Sequence, residues 1–318
     1  MQDTQKEKKP TRDGYGSALL KLGKKNKNVV VLSADLGESM RTQEFGKLFP
    51  ERLIEVGVAE QNLIGVAAGL ALSGKIPFAT SYAVFSPGRS WDQVRVSVAY
   101  SQSNVKIVGG HTGLTVGADG ATHQALEDIA IMRVLPNMIV IVPCDFLEAE
   151  KATLAAAEFV GPVYLRLTRE KSPQITEVST PFTIGVAQEM TTGEDVTVIA
   201  CGPLLAEALK AAKQLSAEGL SVEVINNHTI KPLDEKTLLR SIKKTGAVVT
   251  VEEHQIMGGM GSAIAELTAR HFPVPIEMIG MHDQFGESGT PKELWEKYHF
   301  LAEDIVNAIK KVIKRKQD

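Results

Sequence analysis

Residues 56–72 read VGVAEQNLIGVAAGLAL. No side chain from Leu63 to Leu72 is polar or charged, so a helix formed here is apolar on every side. A helix of that kind is expected to be buried. Glu60 stands at its head, where burying an unpaired carboxylate is costly. Glu60 therefore either caps the helix or takes part in chemistry.

Short β-branched runs alternate with helical patterns along the rest of the chain. Helices are predicted at Leu147–Phe159, Leu205–Leu215 and Ala263–His271. The predicted strands are NVVVLSADL, IPFATSY, NVKIVGG, MIVIVP, PVYLRLTR, DVTVIACG, SVEVINN, AVVTVEE and IEMIG. This alternation predicts an α/β fold whose sheets are mostly parallel and flanked by helices.

A single sheet of that many strands would be unusually large, so we expect two domains. The stretch SPQITEVSTPFTIGVAQEMTTGED is rich in Ser, Thr, Pro and Gly, as linkers often are. We place a polar N-terminal tail at 1–10, the first domain at 11–180, a linker at 181–193 and the second domain at 194–318.

The composition excludes several classes of protein. Of the 318 residues 43% are hydrophobic, and the net charge of -3 leaves no basic excess for nucleic acid. No apolar run reaches the roughly 18 residues that a membrane span needs. The two cysteines, Cys144 and Cys201, lie in or beside apolar strand-like runs. Buried structural thiols and a reducing cytoplasm are the expectation.

Chemically versatile side chains lie at or just beyond the carboxyl ends of the predicted strands of the first domain. They are Asp35, Tyr82, Phe85, His111 and Arg169. Ligands of open parallel sheets bind beyond the carboxyl ends of the strands. We therefore expect the first domain to carry the site.

Two glycine-rich segments are candidates for a functional site. HTGLTVGADGATHQALED (111–128) is long for a connection, so it is either a functional loop or a surface loop that caps the next helix. GGMGSA (258–263) lacks the spacing of a dinucleotide site and is better explained as a close-packed helix start. The chain has no GxSxG, GxxxxGK[ST] or HExxH motif, and its cysteines are too far apart for a zinc knuckle. We predict no metal ligands in this chain.

Three ordered motifs resemble the pyrimidine-binding and C-terminal domains of transketolase. They are EVGVAEQNLIGVAAG, VGADGATHQALEDIAIMRVLPN and TIKPLD, and the resemblance runs from about Thr11 to about Asn307. It implies that Glu60 hydrogen-bonds N1′ of the aminopyrimidine of thiamine diphosphate and so promotes loss of the C2 proton. Such a task requires a carboxyl group that holds a proton near neutral pH, which burial favours and a helix N-terminus opposes.

The resemblance implies further roles, residue by residue. Tyr82 and Phe85 match the aromatic pair that holds the aminopyrimidine ring, although both could simply fill core. Asp119 and His123 match the pair that binds donor hydroxyls and moves protons. The positions that clamp the substrate phosphate are matched by Arg12, Ser39, His111 and Arg169. The loop departs from the family at Ala118 and Ala121, where an acid and a proline are usual.

One family motif is missing. The diphosphate-binding domain of transketolases carries GDG and a later Asn, which hold magnesium, and no GDG occurs in this sequence. The resemblance therefore implies a split enzyme. An N-terminal transketolase subunit would supply the diphosphate-binding domain and the Mg²⁺ ligands within an α2β2 assembly.

Three alternatives to a C-terminal transketolase subunit stay open. The β subunit of a 2-oxo acid dehydrogenase shares the two-domain layout, but its substrates carry no phosphate. Half of a 1-deoxyxylulose-5-phosphate synthase would share the THQ loop and a phosphosugar substrate. A non-catalytic scaffold subunit would have no need of Glu60, Asp119 or His123.

Overall fold

The structure, a computed structural model, describes residues 8–317, so most of the predicted tail at 1–10 lies outside the described residues. The strands are β1 Lys8–Lys9, β2 Val29–Ser33, β3 Leu53–Glu55, β4 Ile76–Tyr82, β5 Lys106–Gly110, β6 Ile139–Ile141, β7 Val163–Arg166, β8 Ser172–Pro173, β9 Gln188–Thr191, β10 Val196–Ala200, β11 Val222–Asn226, β12 Thr229–Lys231, β13 Val248–Gln255 and β14 Ile276–Met281. The helices are α1 Thr11–Lys25, α2 Gln43–Leu48, α3 Glu60–Leu72, α4 Ser86–Arg89, α5 Trp91–Gln93 with a π-helical continuation Val94–Tyr100, α6 Asp128–Arg133, α7 Phe146–Glu158, α8 Leu205–Ala217, α9 Glu235–Thr245, α10 Met260–His271, α11 Pro291–Lys297 and α12 Ala302–Gln317.

The first sheet has seven strands in the order β12-β6-β7-β5-β4-β2-β3. All neighbours run parallel except the edge pair β12 and β6. Strands β2 and β5 are buried along their whole length, because helices cover both faces of a parallel sheet. The carboxyl ends of β2, β4, β5 and β7 therefore meet at one edge.

The second sheet has five strands in the order β14-β13-β10-β11-β9, and only β9 is antiparallel. The predicted α/β fold with two mostly parallel sheets is thus confirmed. The stretch 181–193, predicted as a linker, contains strand β9, and strand β12 of the second half of the chain joins the edge of the first sheet. The domain boundaries themselves stay a prediction.

Helix α3 corrects one expectation. Only one face is buried, and the opposite face is exposed at Gln61, Asn62, Gly65, Gly69 and Leu72. The prediction that this apolar helix is buried all round is therefore wrong. Beyond Gln61 and Asn62 the exposed face consists of glycine and aliphatic surface, which composition alone cannot distinguish from core.

The second glycine-rich segment is a close-packed helix start. The buried carboxylate of Glu252 accepts the N–H groups of Met260 and Gly261, both at 2.7 Å. A Cβ on Gly259 would lie 2.4 Å from Glu252 Oε2, so only glycine fits there. An internal carboxylate thus occupies this helix N-terminus. Cys144 and Cys201 are both buried and free, as predicted.

Candidate active site

A cavity of about 250 Å³ lies at the carboxyl edge of the first sheet. Six of its lining residues are candidates from the sequence analysis, and two, Glu38 and Arg41, are not. The lining residues are Arg12, Glu38, Ser39, Arg41, Tyr82, His111, Asp119 and Arg169. All four predicted phosphate ligands therefore face one space, whereas Asp35 is absent from this lining.

A threonine pair explains how two distant arginines meet. Thr11 Oγ1 accepts the backbone N–H of Thr168 at 2.7 Å and lies 3.1 Å from Thr168 Oγ1. These buried contacts join the start of α1 to the chain just after β7. As a result Arg12 and Arg169, which follow the two threonines, line the same cavity.

His111 is built into the cavity wall in its neutral form. Arg12 Nη1 donates to His111 Nε2 at 3.2 Å, and the imidazole stacks on Tyr82 with ring centroids 3.8 Å apart. Burial, followed by the charges of Arg12 and Arg169, lowers the pKa of His111 to about 3. The preceding Gly110 has no room for a side chain, because its Cβ would lie 2.2 Å from Met40 Sδ.

Two carboxylates hold the cavity's other arginines. Arg41 Nε donates to Asp13 Oδ1 at 2.7 Å, and Arg169 Nη1 donates to Asp119 Oδ2 at 3.1 Å. Burial and the neighbouring Arg41 charge lower the pKa of Arg12, yet a guanidinium stays protonated in water. The cavity thus presents fixed, oriented N–H donors.

The rings of Tyr82 and Phe85, here called the aromatic group, connect the cavity to His123. The rings of Tyr82 and Phe85 lie 6.1 Å apart at 15°, and His123 meets Phe85 edge-on at 5.4 Å. Thr122 Oγ1 lies 2.9 Å from His123 Nδ1. The half-buried rings of Tyr82 and Phe85 offer apolar area that a flat heterocycle can contact.

Glu60 is buried, with 3% of its surface exposed, and it does not cap α3. Arg89 Nη1 donates to Glu60 Oε2 at 2.8 Å, while the guanidinium carbon lies 4.8 Å from the Phe85 ring centroid. Half of the Arg89 side chain is exposed. Glu60 is thus an internal carboxylate that is linked to Phe85 through Arg89, a cation at the protein surface.

Three site residues escape the sequence analysis. Arg89 follows Phe85 at a spacing of four, and this basic–aromatic spacing on a helix is a signal that could have found it. Glu38 and Arg41 lie in an irregular segment after β2, where Arg41 has φ +61°. No sequence pattern predicts that turn, so their approach to the cavity follows from tertiary structure alone.

The residues fit one half of thiamine diphosphate. Glu60 and the rings of Tyr82 and Phe85 suit an aminopyrimidine, since they combine a buried acceptor with flat apolar contact. Within residues 8–317 there is no cluster of three or more His, Cys, Asp or Glu side chains that could hold a metal ion. The same range contains no helix long and apolar enough to cross a membrane.

Residues 7–174 match the family model of the transketolase pyrimidine-binding domain, and residues 185–305 match that of the transketolase C-terminal domain. Together with the fold, these matches define a transferase subunit built from those two domains. The chain belongs to the transketolase family.

Relatives of similar length support this assignment. A putative transketolase C-terminal section from Methanocaldococcus jannaschii is 46% identical, over 96% of this chain and 97% of the relative. A 6-deoxy-6-sulfo-D-fructose transketolase subunit from a Clostridium species is 45% identical, over 96% and 95%. A solved structure described as a split gene transketolase, inactive β4 tetramer, superposes with a TM-score of 0.90 at 47% identity, covering 96% of this chain and 98% of that one.

Proposed function

We propose that this chain is the C-terminal subunit of a two-chain transketolase. The enzyme would transfer a two-carbon ketol group from a ketose phosphate to an aldose phosphate with thiamine diphosphate as cofactor. The observation that carries the proposal is the cavity lined by Arg12, Arg41, His111 and Arg169. Charge-assisted hydrogen bonds from arginine are the strong interactions for a phosphate group.

The cavity also bears on the alternatives. A 2-oxo acid offers no phosphate to these arginines, which counts against a dehydrogenase β subunit. A scaffold would have no use for a cavity that is lined by side chains from separate strand ends. The half of a 1-deoxyxylulose-5-phosphate synthase also fits a phosphosugar, so substrate assays must separate it from a transketolase.

Thiamine diphosphate supplies a thiazolium carbon that takes up the two-carbon unit once it is deprotonated. Glu60 would hold a proton at N1′ of the aminopyrimidine, and Tyr82 and Phe85 would contact its ring. Arg89 is half exposed, so it can leave Glu60 for water when the cofactor becomes the partner of the carboxylate.

Asp119 and His123 would act on the donor substrate. Asp119 stands on the cavity wall in an ion pair with Arg169, and His123 stands beside the aromatic group. They are proposed to bind donor hydroxyls and to move the proton released when the carbon–carbon bond breaks. A substrate whose phosphate lies on Arg12 and Arg169 would pass both side chains before it reaches the cofactor.

The exposed face of α3 supports the need for a partner chain. A Cβ built on Gly65 or Gly69 meets no atom within 4 Å, so nothing inside this chain requires glycine there. Leu72 on the same face is 75% exposed, and Tyr100 on the neighbouring π-helix is 79% exposed. Small residues on a helix face let another chain approach closely. We infer that an N-terminal subunit docks here in an α2β2 assembly and brings the diphosphate-binding domain and the Mg²⁺ ligands.

Reconstitution tests the proposal. The chain is mixed with the N-terminal transketolase subunit of the same organism, thiamine diphosphate and Mg²⁺, and is given xylulose 5-phosphate and ribose 5-phosphate. Formation of sedoheptulose 7-phosphate, lost when either chain is left out, is the expected result. Parallel assays supply pyruvate with glyceraldehyde 3-phosphate, a 2-oxo acid with an electron acceptor, and 6-deoxy-6-sulfofructose as donor. Turnover of pyruvate or another 2-oxo acid without ketol transfer would overturn the proposal.

A further inference from the structure

The segment that carries Asp119 is held by the second domain. Residues Leu114–Asp119 form a short 3-10 helix with a break at Gly117, and Gly113 and Gly120 bound it with positive φ. Glycines on both sides leave such a segment few conformational limits of its own. Its position must therefore come from contacts with the rest of the molecule.

Glu253 provides the principal contact. It lies near the end of β13 with 3% of its surface exposed. Its Oε1 accepts the backbone N–H of Thr115 at 2.7 Å and the indole N–H of Trp295 at 3.2 Å, and its Oε2 accepts the Thr115 hydroxyl at 3.3 Å. Its backbone carbonyl accepts Arg166 Nη2 at 2.9 Å. The carboxylate is thus fixed from the second domain and reaches across to the loop of the first.

The fit between Glu253 and the loop is close. A Cβ on Gly113 would lie 2.5 Å from Glu253 Cδ, so the backbone turns directly against the carboxylate. The far end of the loop is anchored as well, because Gln124 Nε2 donates to the backbone carbonyl of Glu287 at 3.0 Å. Asp119 and His123 lie between these two anchors.

We propose that Glu253 is a positioning residue for the transfer reaction, which sets the place of Asp119 and His123 from the second domain. This inference rests on the proposed function. Misplacement of a reacting group by about 1 Å lowers a rate by roughly 10². The effect should fall mainly on kcat, since the contacts of Arg12 with Ser39 and His111, and the stacking of His111 on Tyr82, do not involve Glu253.

Glu252 is a matched control. It precedes Glu253 on the same strand and is also buried. It accepts two backbone N–H groups, whereas Glu253 accepts one backbone N–H, a hydroxyl and an indole N–H. Its partners are in α10, however, and not in the loop. Glu252→Ala should therefore cost comparable stability and leave the loop in place.

The experiment compares Glu253→Ala, Glu253→Gln and Glu252→Ala in the reconstituted enzyme. For Glu253→Ala we expect kcat to fall tenfold to hundredfold, KM for the phosphorylated donor to change less than threefold, and amide hydrogen exchange to quicken in peptides from 111–124. Glu253→Gln keeps an acceptor for the Thr115 N–H, so kcat should recover to within about threefold. Equal losses in Glu253→Ala and Glu252→Ala, or unchanged exchange in 111–124, would overturn the proposal.

Two further variants decide the question if Glu253→Ala does not fold. Thr115→Val removes the hydroxyl donor to the carboxylate with little change in volume, and Trp295→Phe removes the indole donor and leaves a smaller aromatic ring. Each should lower kcat several-fold and raise exchange in 111–124, and unchanged values in both would reject the proposal. Exchange is measured on the chain itself, so it tests the inference even if the unmodified enzyme proves inactive with sugar phosphates.

Discussion

Leucine substitutions at Gly65 and Gly69 should separate the stability of the chain from its assembly. Both glycines lie inside α3, where glycine is less favourable than leucine by roughly 0.5–1 kcal/mol. No atom lies within 4 Å of an added Cβ at either position. The double variant should therefore unfold at a temperature roughly 2–4 °C higher as the isolated chain, at about 2 °C per kcal/mol for a protein of this size.

Assembly with the N-terminal subunit should respond in the opposite direction. If that subunit packs on the glycines, each new side chain must be fitted into a formed interface, at roughly 1–3 kcal/mol each. The two together should weaken association by at least about thirtyfold, since 1.4 kcal/mol is a factor of ten. Titration calorimetry with the partner chain measures this directly, and enzyme activity at limiting partner concentration should fall with it.

Gln214→Leu is the control for added apolar surface. It lies exposed on α8 in the second domain, away from α3, and it should leave the affinity for the partner unchanged. An unaltered affinity in the Gly65→Leu, Gly69→Leu variant would show that α3 is not a docking face, and the glycines would then need another explanation.

Three other substitutions test the site and the core. Glu60→Gln should lower turnover by roughly 10²–10⁴, the range for loss of an acid–base group, and a normal rate of C2–H exchange in the bound cofactor, followed by NMR, would contradict this role. Arg169→Ala should raise KM for phosphorylated donors well over tenfold, because a hydrogen bond to a charged group contributes about 1.5–3 kcal/mol. An equal loss with a non-phosphorylated donor would refute the phosphate contact. Burial raises the pKa of Glu148 from 4.5 to about 7, so its contribution to the free energy of unfolding should fall by up to about 3 kcal/mol as pH rises from 4.5 to 7. Glu148→Gln should remove that part of the pH dependence in urea titrations, and an unchanged slope would argue that the carboxyl is ionised throughout.

The sequence predicts the strands well because their signal is local. Each predicted β-branched run contains a strand of one of the two larger sheets, and the helix predicted at Leu147–Phe159 lies at Phe146–Glu158. The edge strands β3, β9 and β12 escape because they have only three or four residues each. Their pairing depends on neighbours that are distant in sequence.

The site can be predicted only in part from the sequence, because some of its contacts join residues that are distant in the chain. Tyr82, His111 and Arg169 follow predicted strands, so the topological rule places them together. Arg41 is not at such a position, and Glu253 ends a predicted strand of the other domain. The position of Arg41 depends on an irregular turn. Glu253 contacts Thr115 of the loop although the two residues are 138 positions apart in the chain.

The environment of Glu60 shows why an acid stands at the head of α3. Its carboxylate is buried and forms an ion pair with Arg89. Because the Arg89 side chain is half exposed, it can move away from Glu60 into water. Behind it α3 buries one apolar face and leaves the other, with Gly65 and Gly69, uncovered. A helix whose only task is to complete a core has no need of glycine on its uncovered face. We therefore expect the same helix to serve both the proposed site, through Glu60, and the proposed docking face, through Gly65 and Gly69.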